Sequence, residues 1–429
     1  MLAPILVAVA PPAAQLGISR GCRAAAHVPS ADRTAGWVSV VMPVHDVEAY
    51  IDAAIRSVLS QGRWRVEILV VDDASADDTA ERVRRWERRD TRVRMLQGEF
   101  NDVNAARNFG IAHARGEYLA FLDGDDIMLA GALRDLVSSL EGSGSEFAVG
   151  CYDRLIDGAR TAPAFWIDEA HEQDRRRTSA AEFPQIMVNA VQWTKVYSRS
   201  FWDAAGLEFT EGGHFQDQLV SARAYARAVR IDVLARKVVS WRIRSDGTSM
   251  TQQGARPSQV RDRFATALGA LEVLERESTP ALRAARLGQF LGYDAAVASA
   301  ELPQMGDEAY IALREGLLAL APDIDDPVWG VVPAEYKVLY HLVMRDDRQR
   351  AIEYIARGGR VLLRHELVRI DGVDYVRMPF WGDDAAGVPL IRFRAAPREL
   401  RAFAEASARS LSCRSVGWRG RGARTRRLN

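Results

Sequence analysis

The sequence predicts an α/β fold: a mostly parallel, Rossmann-like sheet flanked by helices, with a helical extension and a small C-terminal β region. Three observations predict it. Between residues 37 and 151, short apolar, β-branched runs alternate with helix-period segments, the pattern of right-handed β-α-β crossovers. Three of the first four runs end in polar clusters, Pro43-Val44-His45-Asp46, Asp72-Asp73 and Asp123-Gly124-Asp125-Asp126. In such sheets ligands bind outside the carboxyl ends of the strands. From about 256 to 356 the period is helical, and β-type alternation returns between 360 and 393.

The elements follow in order. Val38 to Met42 reads as a buried strand stopped by Pro43, and residues 48–61 show helical spacing ending near Gly62. Glu67 to Val71 is a second buried strand and residues 77–90 a charged amphipathic helix. Val93 to Leu96 is a short third strand, 103–115 a helix, and Glu117 to Leu122 a fourth strand delivering Asp123. A helix over 131–141 and a strand over 146–151 come next; 157–180, with Asp174-Arg175-Arg176-Arg177, reads as a loop or solvated face. A strand is expected over 236–241, and Asp371-Gly372 is a hairpin signal. These segments divide the chain into a leader (1–36), a sheet domain (37–255), a helical extension (256–356), a β region (357–405) and a basic tail (406–429), flexible or the stump of a further β domain.

Composition narrows the function. The 429 residues carry 57 Lys plus Arg against 57 Asp plus Glu, with 48 % apolar and 27 % charged residues, which excludes disorder over most of the chain. Zero net charge also excludes a strongly electrostatic nucleic-acid binder as the default. Lysines are confined to Lys195, Lys237 and Lys337, a bias that fits a GC-rich genome rather than a function. Cys22, Cys151 and Cys413 show neither disulfide nor zinc spacing, which fits a reducing, cytoplasmic compartment. No stretch reaches the ~18 apolar residues of a membrane span. Seven arginines and no acid in 406–429 make that tail a candidate contact for the anionic inner face of a membrane.

The chemistry concentrates at the strand ends. Asp123 and Asp125, hard oxygen ligands at alternate positions, suit Mg²⁺ or Mn²⁺ held together with substrate phosphates. Each acidic cluster could equally cap the helix behind it. Acids at two neighbouring strand ends repel, which argues for a compensating cation. Arg107, on the helix before the Asp-x-Asp strand, could pair with them or reach a base or phosphate with its donor fork.

These elements, in this order and spacing, resemble family 2 glycosyltransferases of the GT-A fold. Val38 to Asp46 resembles the opening strand and its Pro-x-Tyr-Asn turn, with His45-Asp46 in place of Tyr-Asn; Glu67 to Thr79 resembles the second-strand motif. Ala106-Arg107-Asn108-Phe109-Gly110 is similar to the Arg-Asn helix, and Leu122 to Asp126 to the Asp-x-Asp signature. The resemblance implies that Pro43, Val44, His45, Asp46 and Asp73 hold the nucleotide base beside Arg107. It places Asp123 at the ribose or metal and Asp125 on the cation.

Further along, Gln192 to Arg199 and Leu207 to Gln218 resemble the acceptor half of the same family. The resemblance makes Asp217 the general base of an inverting transfer, with Gln216 where Glu is commoner. One anionic neighbour fewer should lower the Asp217 pKa relative to a Glu-Asp pair. In Trp241 to Gln253 two arginines lie at i and i+2 before a Gly-containing loop. By resemblance Arg242, Arg244 and Ser249 close over the diphosphate. The pattern is similar to bacterial enzymes of cell-wall glycopolymer and teichoic-acid type. It implies a nucleotide-sugar donor, with uridine the family expectation, and a glycan or polyol-phosphate polymer acceptor. The β region is expected to contact the acceptor or a second copy of the chain, so a homo-oligomer is a further expected partner. Two alternatives stand beside this: a non-catalytic binding scaffold, and a nucleotidyltransferase, which would want a Gly-rich phosphate loop that the Pro43 turn lacks.

Overall fold

The structure, a computed structural model, describes residues 34–62, 65–244 and 255–417. The expected loop residue Ser249 lies outside them. The N-terminal half alternates strand and helix: β1 (Thr34–Val44), α1 (Ile51–Leu59), β2 (Arg65–Asp73), α2 (Thr79–Arg89), β3 (Val93–Gly98), α3 (Val103–His113) and β4 (Gly116–Phe121). There follow β5 (Ile127–Met128), α4 (Ala132–Ser143), β6 (Phe147–Ile156), β7 (Ala159–Thr161), α5 (Phe165–Ala170), β8 (Arg175–Thr178), β9 (Lys195–Ser198), α6 (Arg199–Ala204), α7 (Asp217–Arg227) and β10 (Ile231–Ile243). Among the described residues these ten strands form one sheet, ordered β3-β2-β1-β4-β9-β6-β10-β5, with β7 on β6 and β8 on β10. The block β3-β2-β1-β4 is parallel throughout, and β6 runs parallel to β10. This is the GT-A architecture anticipated above.

Strands β1 and β2 read as unbroken apolar runs because both faces are covered. Val38, Val40, Met42 and Val44 pack with α1 and α4, whereas Val41 packs with Leu69, Val71 and Ala106 of α3 on the opposite face. The order 2-1-4 places a topological switch point between the C-terminal ends of β1 and β4, where the Pro43 turn and Asp123 meet the solvent crevice.

Several expectations are corrected. The acidic ends of β2 and β4 are not neighbours, because β1 lies between them. Thr34–Gly36, assigned to the leader, belong to β1, where the Thr34 N–H bonds the Arg115 carbonyl at 2.9 Å. The charge run expected as a loop or solvated face supplies strand β8, antiparallel to β10. Arg176 is exposed, whereas Arg175 is half-buried over the Phe183 ring at 4.1 Å and the Arg177 N–H donates to the buried Asp232 at 2.9 Å. The boundary expected at 406 falls inside α14 (Pro397–Gly417), so 406–417 are helical rather than a flexible tail.

The second half packs α8 (Pro257–Glu277), α9 (Pro280–Gln289), a π-helical turn (Phe290–Asp294), α10 (Ala295–Ala300), α11 (Asp307–Leu320), α12 (Ala334–Met344) and α13 (Arg348–Ala356). Pro257 and Pro280 sit in first turns, where their missing N–H is not needed. The hairpin β11 (Glu366–Ile370) and β12 (Val373–Arg377) turns on Asp371 and Gly372, both at positive φ, as the Asp-Gly signal requires. Val376, Met378 and Phe393 share one core with Phe264, Leu313 and Tyr340, so the hairpin region and the helices bury the same surface. Ala222 of α7 joins that core and ties it to the sheet domain.

Helix α3 lies close on β1 and β2 because Gly110 has no side chain: a Cβ there would sit 2.5 Å from Val41 Cγ1 and 3.0 Å from Val71 Cγ2. Helix propensity alone favours alanine by about 1 kcal/mol, but overpacking a rigid core costs about 1–3 kcal/mol. We expect Gly110→Ala to lose about 1–2 kcal/mol in urea unfolding, the clash outweighing the propensity. A gain in stability would contradict the close approach.

Candidate active site

The site is built from the carboxyl ends of β1, β2 and β4, the start of α7 and the end of β10. Pro43 and Val44 complete β1, opposite Val71 and Asp72. The next two residues tie this turn to the one after β2. The His45 Nδ1–H donates to the Asp73 carbonyl at 2.6 Å, and Asp46, at φ 48°, accepts from the Ala76 N–H at 2.8 Å. The Asp46 N–H in turn donates to Ser75 Oγ at 3.1 Å. Asp73 is 9 % exposed and accepts the backbone N–H groups of Phe100, Asn101 and Asp102 at 2.5, 3.0 and 3.2 Å. Its carboxylate therefore also shapes the loop before α3, a role the sequence did not reveal.

Arg107 is the centre of the site. It projects from α3 with its side chain 7 % exposed, donating to Asp123 Oδ1 at 2.9 Å and Asp217 Oδ1 at 3.2 Å. Its guanidinium also covers the Phe209 ring at 5.2 Å. Burial pulls the Arg107 pKa down, but Asp123 and Asp217 outweigh it and hold the pKa above its ordinary value. The next residue, Asn108, bonds both backbone groups of Phe209, at 2.9 and 3.0 Å, and so seats the turn that carries Arg107's aromatic platform. Asp217 opens α7, and no side-chain cap bond forms at Gln216. Burial raises the Asp217 pKa, and Arg107 only partly reverses this. The effect expected from Gln216 concerned one neighbour; burial is the larger influence here.

The second acidic set faces the end of β10. Asp125 accepts from Arg244 Nη2 at 2.7 Å, while Arg242 Nε donates to the Asp125 carbonyl at 2.7 Å. Both guanidinium groups lie over the Tyr50 ring, at 4.9 and 5.3 Å. Asp126 is 1 % exposed; its Oδ1 accepts the Arg242 N–H at 2.8 Å and its Oδ2 has no partner. Burial raises the Asp125 pKa and holds that of Asp126 well above its ordinary value, with the adjacent carboxylates adding to it. Among the described residues no group of three or more His, Cys, Asp and Glu side chains is arranged to hold a metal ion. The two carboxylates expected to ligate one, Asp123 and Asp125, are each paired with an arginine.

Behind Asp217 lies a buried polar layer. Gln192 Nε2 donates to the Asp217 carbonyl at 3.3 Å and to Ser221 Oγ at 2.8 Å, and Tyr197 Oη donates to Gln192 Oε1 at 2.7 Å. Lys195, 1 % exposed, donates to the carbonyls of Asn189 at 2.8 Å and Val191 at 2.6 Å, and burial pushes its pKa down to about 7. The sequence marked Gln192 and Lys195 only through a resemblance. Tyr50 carried no signal, since its partners come from the far end of the domain.

Comparison with known proteins bears on the sheet domain and its fold. Residues 39–201 match the family model described as Glycosyl transferase family 2, a span that ends before Asp217. The uncharacterized glycosyltransferase EpsJ of Bacillus subtilis is 29 % identical over 46 % of this chain and 58 % of its own length. The poly(ribitol-phosphate) beta-N-acetylglucosaminyltransferase TarS of Staphylococcus aureus is 23 % identical over 75 % of this chain and 56 % of its own. The chain thus spans less than two thirds of these curated relatives. The crystal structure of S. aureus TarS 1-349 with UDP-GlcNAc is similar at a TM-score of 0.63 and 20 % identity, covering 80 % of this chain and 96 % of that one, a likeness of fold. The chain carries a family 2 glycosyltransferase domain across residues 39–201.

Proposed function

We propose that this protein is an inverting glycosyltransferase that moves a sugar from a nucleotide-sugar to a hydroxyl of a cell-wall glycopolymer. The observation that carries the proposal is Arg107, which holds the Asp-x-Asp strand and Asp217 on opposite sides of one guanidinium. Two carboxylates from different elements thereby face one site, one for the donor and one for the acceptor. A uridine diphosphate donor is supported by the TarS complex with UDP-GlcNAc. A polyol-phosphate or glycan acceptor is supported by the poly(ribitol-phosphate) activity in that relative's name.

In this mechanism Asp217 accepts the proton of the acceptor hydroxyl as its oxygen bonds the anomeric carbon. The bond from that carbon to the diphosphate breaks on the opposite face, and the nucleoside diphosphate leaves. Burial keeps Asp217 basic enough to accept the proton, and Arg107 keeps it ionised and aimed. Asp123 and Asp125, here paired with Arg107 and Arg244, supply the hard carboxylate oxygens that would hold a divalent cation in place of those arginines. Mg²⁺ or Mn²⁺ bound there together with substrate phosphates would neutralise charge on the leaving diphosphate. Arg242 and Arg244 supply cationic donors on the same side. Donors of this class place the reaction in the cytoplasm; among the described residues no helix is long and apolar enough to cross a membrane.

Purified protein should transfer or hydrolyse sugar from some UDP-sugar when Mn²⁺ or Mg²⁺ is present, and stop on chelation. Asp217→Asn should reduce turnover by about 10²–10⁴-fold while UDP binding, read by calorimetry, persists. Full turnover in that variant would remove Asp217 as the base.

The pH profile carries a second expectation. Because burial raises the Asp217 pKa, kcat should fall with acidification around a midpoint above the ordinary carboxylate value. Arg107 opposes that rise, so Arg107→Met should move the midpoint further up. A wild-type midpoint at or below the ordinary value would contradict the assignment.

A further inference from the structure

The residues that flank the base proposed above, His214, Phe215 and Gln218, are held by the helical extension. Four contacts run from α8, α9 and the π-helical turn to residues 214–218. Asp262 accepts both from the His214 N–H at 2.9 Å and from His214 Nδ1 at 2.6 Å. The Arg263 guanidinium lies 4.1 Å over the Phe215 ring. Arg286 Nη2 donates to Gln218 Oε1 at 2.6 Å. Gln218 Nε2 donates to Asp294 Oδ1 at 2.9 Å.

Each contact has a physical reason to be more than packing. Phe215 sits at φ 61°, a left-handed conformation that a bulky residue adopts only when its surroundings impose it. Gln218 is 8 % exposed, and both ends of its amide are bonded to charged partners, which fixes its rotamer. Arg286 is 5 % exposed, and its other Nη donates to Gln289 Oε1 at 2.9 Å. Gln289 in turn donates to the Pro184 carbonyl at 2.8 Å, next to the segment that holds Lys195 and Gln192. Asp294 belongs to the one stretch of π-helix in the described residues, Phe290–Asp294. An inserted π-turn re-aims side chains within a helix and recurs at functional positions.

We infer that Gln218, Arg286 and Asp294 are positioning residues: the extension holds the first turn of α7 so that Asp217 stays within reach of both Arg107 and the acceptor hydroxyl. This rests on Asp217 being the base. The extension is then part of the transferase machinery, although it lies outside the span matched by the family model. A misplacement near 1 Å in such a group can cost about 10²-fold in rate.

The test compares Asp294→Ala, Asp294→Asn and Gln218→Met in the full chain, with UDP-binding stoichiometry from calorimetry used to express kcat per functional donor site. Asp294→Ala and Gln218→Met should each lower that kcat by roughly 10- to 100-fold, with UDP affinity and donor KM within about twofold of wild type. Asp294→Asn, whose amide oxygen still accepts from Gln218, should recover most of the rate. Wild-type kcat per donor site in both truncating variants would overturn the inference. So would a loss of UDP binding in step with turnover, because the network would then hold the fold and not the base. Asp217→Asn, run in parallel, separates the two ideas. If it keeps full turnover, the base assignment fails; if it is inactive while Asp294→Ala and Gln218→Met are not impaired, only the positioning role fails.

Discussion

A guanidinium buried between the sheet and an inserted helix must be compensated, and Arg107 is compensated twice, by Asp123 from the end of β4 and by Asp217 from the start of α7. A buried charge left without a partner is costly, so the cation constrains how far apart those two elements can lie. Most of the remaining geometry follows from that requirement. Gly110, one turn along α3, lets the helix approach Val41 and Val71 closely enough to carry the guanidinium over the strand ends. Asn108 holds the Phe209 turn against the same helix, and Phe209 lends its ring to the cation. The extension then closes on residues 214–218 from the far side.

Charge in this protein is balanced locally as well as in total. The carboxylates at the end of β4 are matched by arginines from two distant segments, α3 and β10, and Tyr50 supplies an aromatic face to the second set. Asp126 has the Arg242 backbone N–H on one oxygen and, among the described residues, no hydrogen-bond partner on the other. The zero net charge of the sequence concealed this arrangement because it averages over the whole chain.

Legibility in the sequence followed locality. Strands β1, β2 and β4 could be read because their two buried faces make them continuously apolar, and the polar residues that end them stand out against those runs. The hairpin at Asp371-Gly372 was legible because the turn demands positive φ at both positions. Strand β8 was not, since Arg175–Thr178 pairs along an edge and its own composition looks solvated. Sheet order was not legible either: that β1 separates β2 from β4 depends on long-range pairing. Within the site, Asp123, Asp125, Arg107, Asp217, Arg242 and Arg244 were all nameable from motifs; the structure pairs Arg107 with Asp123 and Asp217, pairs Arg244 with Asp125, and bonds Arg242 to the Asp125 carbonyl. The threefold N–H bonding of Asp73 and the grip on Gln218 were invisible, because their partners are backbone groups or residues tens of positions away.

The central claim is that Asp217 receives the acceptor proton on the face of the sugar opposite the departing diphosphate. The anomeric configuration of the product, read from the proton coupling at the anomeric carbon in an NMR time course, tests it most directly. A configuration opposite to that of the donor is predicted. A product that retains the donor configuration from the first turnover would contradict it.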